Sequence, residues 1–217
     1  MLRPVDIGVA LEAALTLELV GRWAPADIRH NLGLPRATLS ESLDRLAAAG
    51  LVRDRFLHRG VLASLLPVLP HIVPIRSGGQ VAVQGLHTGF AAPAFAGQFR
   101  AGAPLVWAVA GGPDIGLPID PLHPRIPAHL LASGDEQRYA MLAWVDAVRG
   151  GRAREVAHGI EGLRRLCGLP PSPGIRPQPA IEALMGEIVD GLRRAAEAED
   201  LESPADGGAP LLRSSGP

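Results

Sequence analysis

Which reactive side chains this sequence contains, and where they fall, bounds its chemistry. It has seven histidines, one cysteine and 21 basic residues, every one of them arginine. With no lysine, neither a P-loop nor a Schiff-base mechanism is available. The glycine pairs at 78–79, 111–112 and 150–151 belong to no G-x-G-x-x-G fingerprint, and there is no G-x-S-x-G elbow. His71, His87, His123 and His129 fall in a weakly charged stretch with Asp114, Asp120 and Asp135, but they form no H-x-x-x-H or H-E-x-x-H pair. Single hydrogen bonds from loops are the expected role, so no metal, no cofactor and no enzymatic activity is expected. Cys167 sits in Leu166-Cys167-Gly168-Leu169 and reads as a small buried hydrophobe rather than a redox sensor. As the sole cysteine it allows no intrachain disulfide.

That leaves arginine, and one stretch arranges it purposefully: Ala24 to Arg53, APADIRHNLGLPRATLSESLDRLAAAGLVR. Pro25 presets φ for a helix running to about Leu32, and Gly33 supplies the positive φ that ends it. A second helix is expected from Arg36 to Ala49, its apolar positions Leu39, Leu43, Leu46 and Ala47 spaced for one face. The other face carries Arg36, Thr38, Ser40, Glu41, Asp44 and Arg45. Small polar residues near the N-terminal end of such a face suit entry into the DNA major groove.

DIRHNLGLPRATLSESLDRLAAAGLV resembles the helix-turn-helix of bacterial winged-helix regulators, in particular the multiple-antibiotic-resistance (MarR) class. Asp27, Leu32, Gly33, Leu34, Thr38, Leu39, Leu43, Leu46, Gly50 and Leu51 sit where that pattern has its equivalents. Pro35 stands where a Ser or Thr N-cap is usual. The resemblance implies a winged helix-turn-helix over 1–60, with a leading helix at about Val5 to Leu19. Leu51-Val52-Arg53 would start a strand pairing back to Arg22-Trp23, with an abbreviated wing before the next helix. Arg36, Thr38, Ser40 and Arg45 are the expected base and groove contacts, and Arg53, Arg55 and Arg59 the phosphate contacts. Since Arg36 and Arg45 lie away from the leucines, their joint removal is expected to leave the fold intact.

Beyond residue 60 the chain changes character. Residues 61–135 hold only three arginines and three acids, with short β-type runs at His71-Ile72-Val73, Gln80 to Val83 and Pro104 to Val109. Helices are expected over Gly60–Leu69, Gly134–Val148, Arg152–Leu166 and about Pro179–Ala198, before an acidic, Gly- and Pro-rich tail at 199–217 that reads as disordered. This part resembles a bacterial family of helix-turn-helix proteins of similar size, some encoded beside toxin genes. The resemblance rests on Val106-Trp107 before Gly111-Gly112, on Pro121-Leu122-His123-Pro124, and on Asp146-Ala147-Val148-Arg149-Gly150-Gly151-Arg152-Ala153-Arg154-Glu155. It implies a transcription regulator and supplies no ligand. The arginines at 149, 152, 154, 164 and 165 read as a solvated helical face rather than a second basic patch.

The fold expected is α+β: the winged helix-turn-helix (1–60), a mixed α/β effector or interaction section (61–169), a C-terminal helix (170–198) and the tail (199–217). The expected function is sequence-specific binding of double-stranded DNA by a transcription regulator. An antitoxin-like protein binding the product of a neighbouring gene is the alternative. The chain has 21 basic against 22 acidic residues, and residues 1–60 hold eight arginines against seven acids. One domain so balanced attracts DNA weakly, so a homodimer is expected. Its interface would be the leading helix around Ile7, Leu11 and Leu15 or the late helix around Ile181, Leu184, Ile188 and Leu192. No secretion signal and no long apolar run is seen, so a cytoplasmic location without membrane contact is expected.

Overall fold

The leading helix α1 (Pro4–Val20) is apolar on nearly every side, and every residue from Val5 to Thr16 is buried. A helix buried all round must be packed from several directions. Here α2 (Pro25–Leu32), α3 (Arg36–Ala48) and the late helix α7 (Glu136–Gly150) all lie against it. The computed structural model describes residues 1–95 and 103–171. The expected late helix at 179–198 and the tail fall outside them.

Three helices, α1, α2 and the one that starts at Ala153, begin the same way. An acid at the third helical position accepts the backbone N–H of the residue before the helix: Asp6 from Arg3 at 2.7 Å, Asp27 from Ala24 at 3.1 Å and Glu155 from Arg152 at 2.7 Å. This is the reciprocal half of a capping box, and it also places negative charge at the positive end of the helix. Helix α3 starts after Pro35 with no side-chain cap.

After α3 the chain makes β1 (Val52–Arg53) and β2 (Phe56–Leu57), an antiparallel hairpin pairing Val52 with Leu57 and Arg53 with Phe56. The strand therefore pairs forward, not back to Arg22-Trp23 as expected. Asp54 and Arg55 both adopt positive φ (49° and 64°), the two-residue turn whose twist matches a hairpin. The next helix, α4 (Arg59–Leu65), runs through a 3₁₀ turn (Leu66–Val68) into the short α5 (Leu69–Ile72). Residues 71–72, expected as strand, close this helix instead.

The middle section holds a three-stranded mixed sheet of β3 (Val83–Thr88), β4 (Leu105–Ala108) and β5 (Asp114–Pro118). β3 pairs antiparallel with both neighbours, and β4 and β5 pair parallel at Leu105–Leu117 and Val106–Pro118. Such tight mutual pairing brings backbones into contact. A side chain at Gly85 would overlap the Trp107 carbonyl, and one at Gly116 the Pro104 carbonyl. Then come α6 (Ile126–Ser133), α7 and α8 (Ala153–Leu166), the last two forming an antiparallel pair of which α7 packs on β3. Trp144 of α7 packs over Gly162 of α8, where a Cβ would lie 2.6 Å from the indole. Among the described residues no helix is long and apolar enough to cross a membrane.

The expected boundary near residue 60 separates no two cores. Met1–Ser172 form one compact unit. Gly8 of α1 lets Leu122 and Leu142 approach, and the Cys167 thiol, 3.8 Å from the Leu11 carbonyl, is sealed against α1.

Two of the motifs behind the second resemblance, those of Trp107 and of Asp146 to Arg149, meet at one buried polar junction. Asp146 Oδ2 accepts from Trp107 Nε1 at 2.6 Å and Thr88 Oγ1 at 2.9 Å, while Oδ1 accepts from Arg149 Nη1 at 2.5 Å. The Arg149 guanidinium also donates to the carbonyls of Val73 at 2.7 Å and Pro74 at 3.3 Å. Burial raises the Asp146 carboxyl above its usual range and Arg149 opposes the shift. Arg149 therefore lies on no solvated face: it ties α7 to the chain after α5. Arg152, Arg154 and Arg165 do lie outside, with Arg165 Nη2 3.3 Å from Glu161.

Candidate nucleic-acid interface

Helices α2 and α3 are joined by three residues, Gly33 to Pro35, with Gly33 at φ 62°. A second constraint adds to that φ: a Cβ on Gly33 would lie 2.6 Å from the His129 ring of α6. The two histidine rings His30 and His129 meet edge-on there, 6.5 Å apart. Leu34 is buried at the turn, as are Ile28 and Leu32 of α2 and Leu39, Ser42 and Leu46 of α3. Leu43 is half-buried, and Trp23 seals the entry to α2. Arg36, Ala37, Ser40, Glu41 and Asp44 are exposed, and Thr38 is half-exposed.

Two carboxylates of α1 hold this pair of helices in place. Asp6, fully buried, takes a two-pronged contact from Arg45 of α3, Nε to Oδ2 and Nη2 to Oδ1, both 2.9 Å. Paired donors from a planar guanidinium fix orientation as well as distance. Glu12, equally buried, accepts from Asn31 of α2 at 2.7 Å, from Thr16 at 2.9 Å and from Arg138 of α7 at 3.0 Å. Burial raises the Glu12 carboxyl, against the pull of Arg138. Asp135 caps α7 through the Arg138 N–H and also pairs with its guanidinium.

These contacts sort the seven candidate residues. Arg36, Ser40, Arg53 and Arg55 are exposed, and none of the three arginines makes an ion pair among the described residues. Thr38 sits beside them. Arg45 does not belong with them. Its side chain is only 20% exposed and its fork is occupied by Asp6, with Glu41 3.5 Å from Nη1. Removing it would leave a bare buried carboxylate, so the expectation that Arg36 and Arg45 can be deleted without harm fails for Arg45. Arg59 is also engaged, by Glu18 at 3.1 Å and the Gly168 carbonyl at 3.2 Å. It links the ends of α1 and α8.

The hairpin stands beside α3, and the two enclose a groove of about 710 Å³ floored by Trp23, Leu43 and Val52, with Arg53 and Arg55 on its rim. Of the candidate arginines, those free to meet a phosphate are thus Arg36 at one end of α3 and the hairpin arginines Arg53 and Arg55 at the other side of the groove. Glu41 and Asp44 occupy the middle of the exposed face, which restricts an anionic surface to the N-terminal turns of α3.

Sequence reasoning missed the anchors. The signal was present, since Asp6, Glu12 and Thr16 lie on an otherwise apolar helix and must find partners. Which arginine meets which acid is not written at any sequence spacing: Arg45 lies 39 residues from Asp6, and Arg138 lies 126 from Glu12. The histidines make isolated contacts, His87 to Asp114 at 3.3 Å and His123 accepting from the Arg125 N–H at 3.3 Å. Among the described residues no three His, Cys, Asp or Glu side chains gather closely enough to hold a metal ion.

No protein-family model, no curated protein and no solved structure matches this chain.

Proposed function

We propose that α2, α3 and the hairpin form a winged helix-turn-helix and that the protein is a sequence-specific DNA-binding transcription regulator. One observation carries the reading. A short helix and a longer one meet through a three-residue turn with positive φ, and the second presents Arg36 and Ser40 beside a two-residue hairpin carrying Arg53 and Arg55. Arg36, Thr38 and Ser40 would read base edges from the first turns of α3, whose uncapped amides suit a phosphate. Arg53 and Arg55 would hold the backbone. A bidentate arginine–guanine contact contributes about 1–3 kcal/mol of discrimination.

The few free arginines favour a two-fold assembly on a pseudo-palindromic site. Ile7, Leu11 and Leu15, expected at its interface, are buried within the chain and offer no exposed apolar surface there. The alternative stretch around Ile181 to Leu192 lies outside the described residues. A second reading, a protein-binding partner of the antitoxin kind, has support of its own. Phe56 and Val61 are 64% and 44% exposed and, with Leu17, line an apolar groove at the foot of the hairpin.

The test is selection of bound fragments from a randomised duplex library, followed by fluorescence anisotropy on the selected site. Arg36→Ala should weaken the selected site at least tenfold and relax its base preference. Arg55→Ala should weaken all sequences alike and flatten the salt dependence. No enrichment of any sequence, together with monomers by light scattering, would remove the regulator reading.

A further inference from the structure

A cleft of about 790 Å³ opens between the first turn of α1, Arg45 of α3, the chain after α5 and the loop 120–124. That is within the size range of small-molecule sites. Arg3, Arg45, Arg76 and Arg149 line it against a single lining acid, Asp120. Their compensating carboxylates stand behind or aside: Asp6 and Asp146 are buried, and Glu41 lies on the outer face of α3.

The donors are not exhausted. Arg149 gives three of its five N–H hydrogens to Val73, Pro74 and Asp146 and, with its side chain only 1% exposed, closes the cleft floor; the open donor is that of Arg76. Arg76 is exposed and makes neither an ion pair nor a side-chain hydrogen bond among the described residues. The walls are Leu2, Pro4, Ile72, Pro121 and Pro124, and no aromatic ring lines the cleft. Three of the four arginines already meet a carboxylate, Arg3 with Glu41, Arg45 with Asp6 and Arg149 with Asp146, so Arg76 alone is unpaired, which suits one negative charge rather than two. A single negative head on an aliphatic body fits both the free guanidinium and the walls.

We propose that this cleft binds a small aliphatic carboxylate and that its occupancy is transmitted to α3. The transmission follows from the lining. Arg45 belongs to α3 and is clamped to α1, while Arg76 and Ile72 belong to the body, so a ligand bridging them sets the seat of α3 against the rest. This second half rests on the DNA-binding reading, whereas the binding itself does not.

Isothermal titration calorimetry with sodium octanoate on the full chain tests the site, with 1-octanol and inorganic phosphate as controls. Saturable one-site binding of octanoate is expected, with neither control binding at comparable concentration. Arg76→Gln and Pro124→Glu, both at exposed positions, should each weaken it at least tenfold while leaving the thermal unfolding curve in place. No octanoate binding, equal binding of phosphate, or indifference to Arg76→Gln overturns the proposal. Octanoate should also change affinity for the selected DNA at least threefold in the wild type and not in Arg76→Gln. Bound octanoate with unchanged DNA affinity overturns the coupling. A protein that selects no DNA removes the regulator reading, and calorimetry still decides the cleft.

Discussion

Replacing Arg45 by alanine separates a DNA contact from a structural clamp. The change removes both donors from the Asp6 carboxylate, which has no exposure of its own, while Arg45 is 20% exposed. Breaking a buried ion pair from one side costs about 3–5 kcal/mol. Asp6 retains the Arg3 backbone N–H at 2.7 Å and its place at the positive end of α1, so the low end, about 3 kcal/mol, is expected. For a unit of this size that lowers the melting temperature by roughly 6–12 °C. Arg36→Ala, at an exposed and unpaired position, should stay within about 0.5 kcal/mol of the wild type. Urea unfolding followed by circular dichroism measures both. The double variant Arg45→Met with Asp6→Asn removes the charge from both sides and should recover most of the loss, because neither group is then left ionised and alone. If Arg45→Ala unfolds within about 1 kcal/mol of the wild type, the clamp is refuted. Arg45 then returns to the list of possible base contacts. Until that is measured, loss of DNA binding by an Arg45 variant says nothing about recognition.

Three more outcomes follow from the same geometry. Gly33→Ala should destabilise by more than the roughly 1 kcal/mol of a left-handed strain alone, because the methyl also meets His129, and adding His129→Ala should recover only the steric part; full recovery would show that φ at 33 relaxes freely. Burial raises Glu12, so the folded protein holds its proton more tightly than the unfolded chain. That contribution to stability is present below the ordinary carboxylate range and is lost as pH rises towards the folded value. Urea midpoints for wild type and Glu12→Gln should therefore converge at low pH, and a gap that widens on acidification would contradict the assignment. The Cys167 thiol is pushed up to about 12 by burial, so a thiol-reactive disulfide reagent at pH 8 should label it only at the rate of unfolding; rapid labelling of the native protein would show that the end of α8 opens.

Much of the helical framework could be read directly from local patterns, because each signal acts within a few residues. Pro25, Gly33 and Pro35 bracket α2 and α3, the leucine spacing predicts the buried side of α3, and the helix expected over Gly134–Val148 is α7. The exposed set Arg36, Ser40, Arg53 and Arg55 followed from the same patterns. Local patterns failed where pairing partners were distant. Three strands that touch one another backbone to backbone need glycine at 85 and 116, which erases the alternation by which strands are recognised, so β5 left no periodic trace. His71 and Ile72 are β-like in isolation, yet Pro70 and the helix before them carry the turn onward. Tertiary structure alone decided the arginines. Every one is charged and long enough to reach water, and only the positions of Asp6, Glu18 and Asp146 determine which are turned inward as clamps at 45, 59 and 149. A buried carboxylate claims the nearest guanidinium in space rather than in sequence. The residues left free for a ligand or a phosphate are those with no such acid within reach.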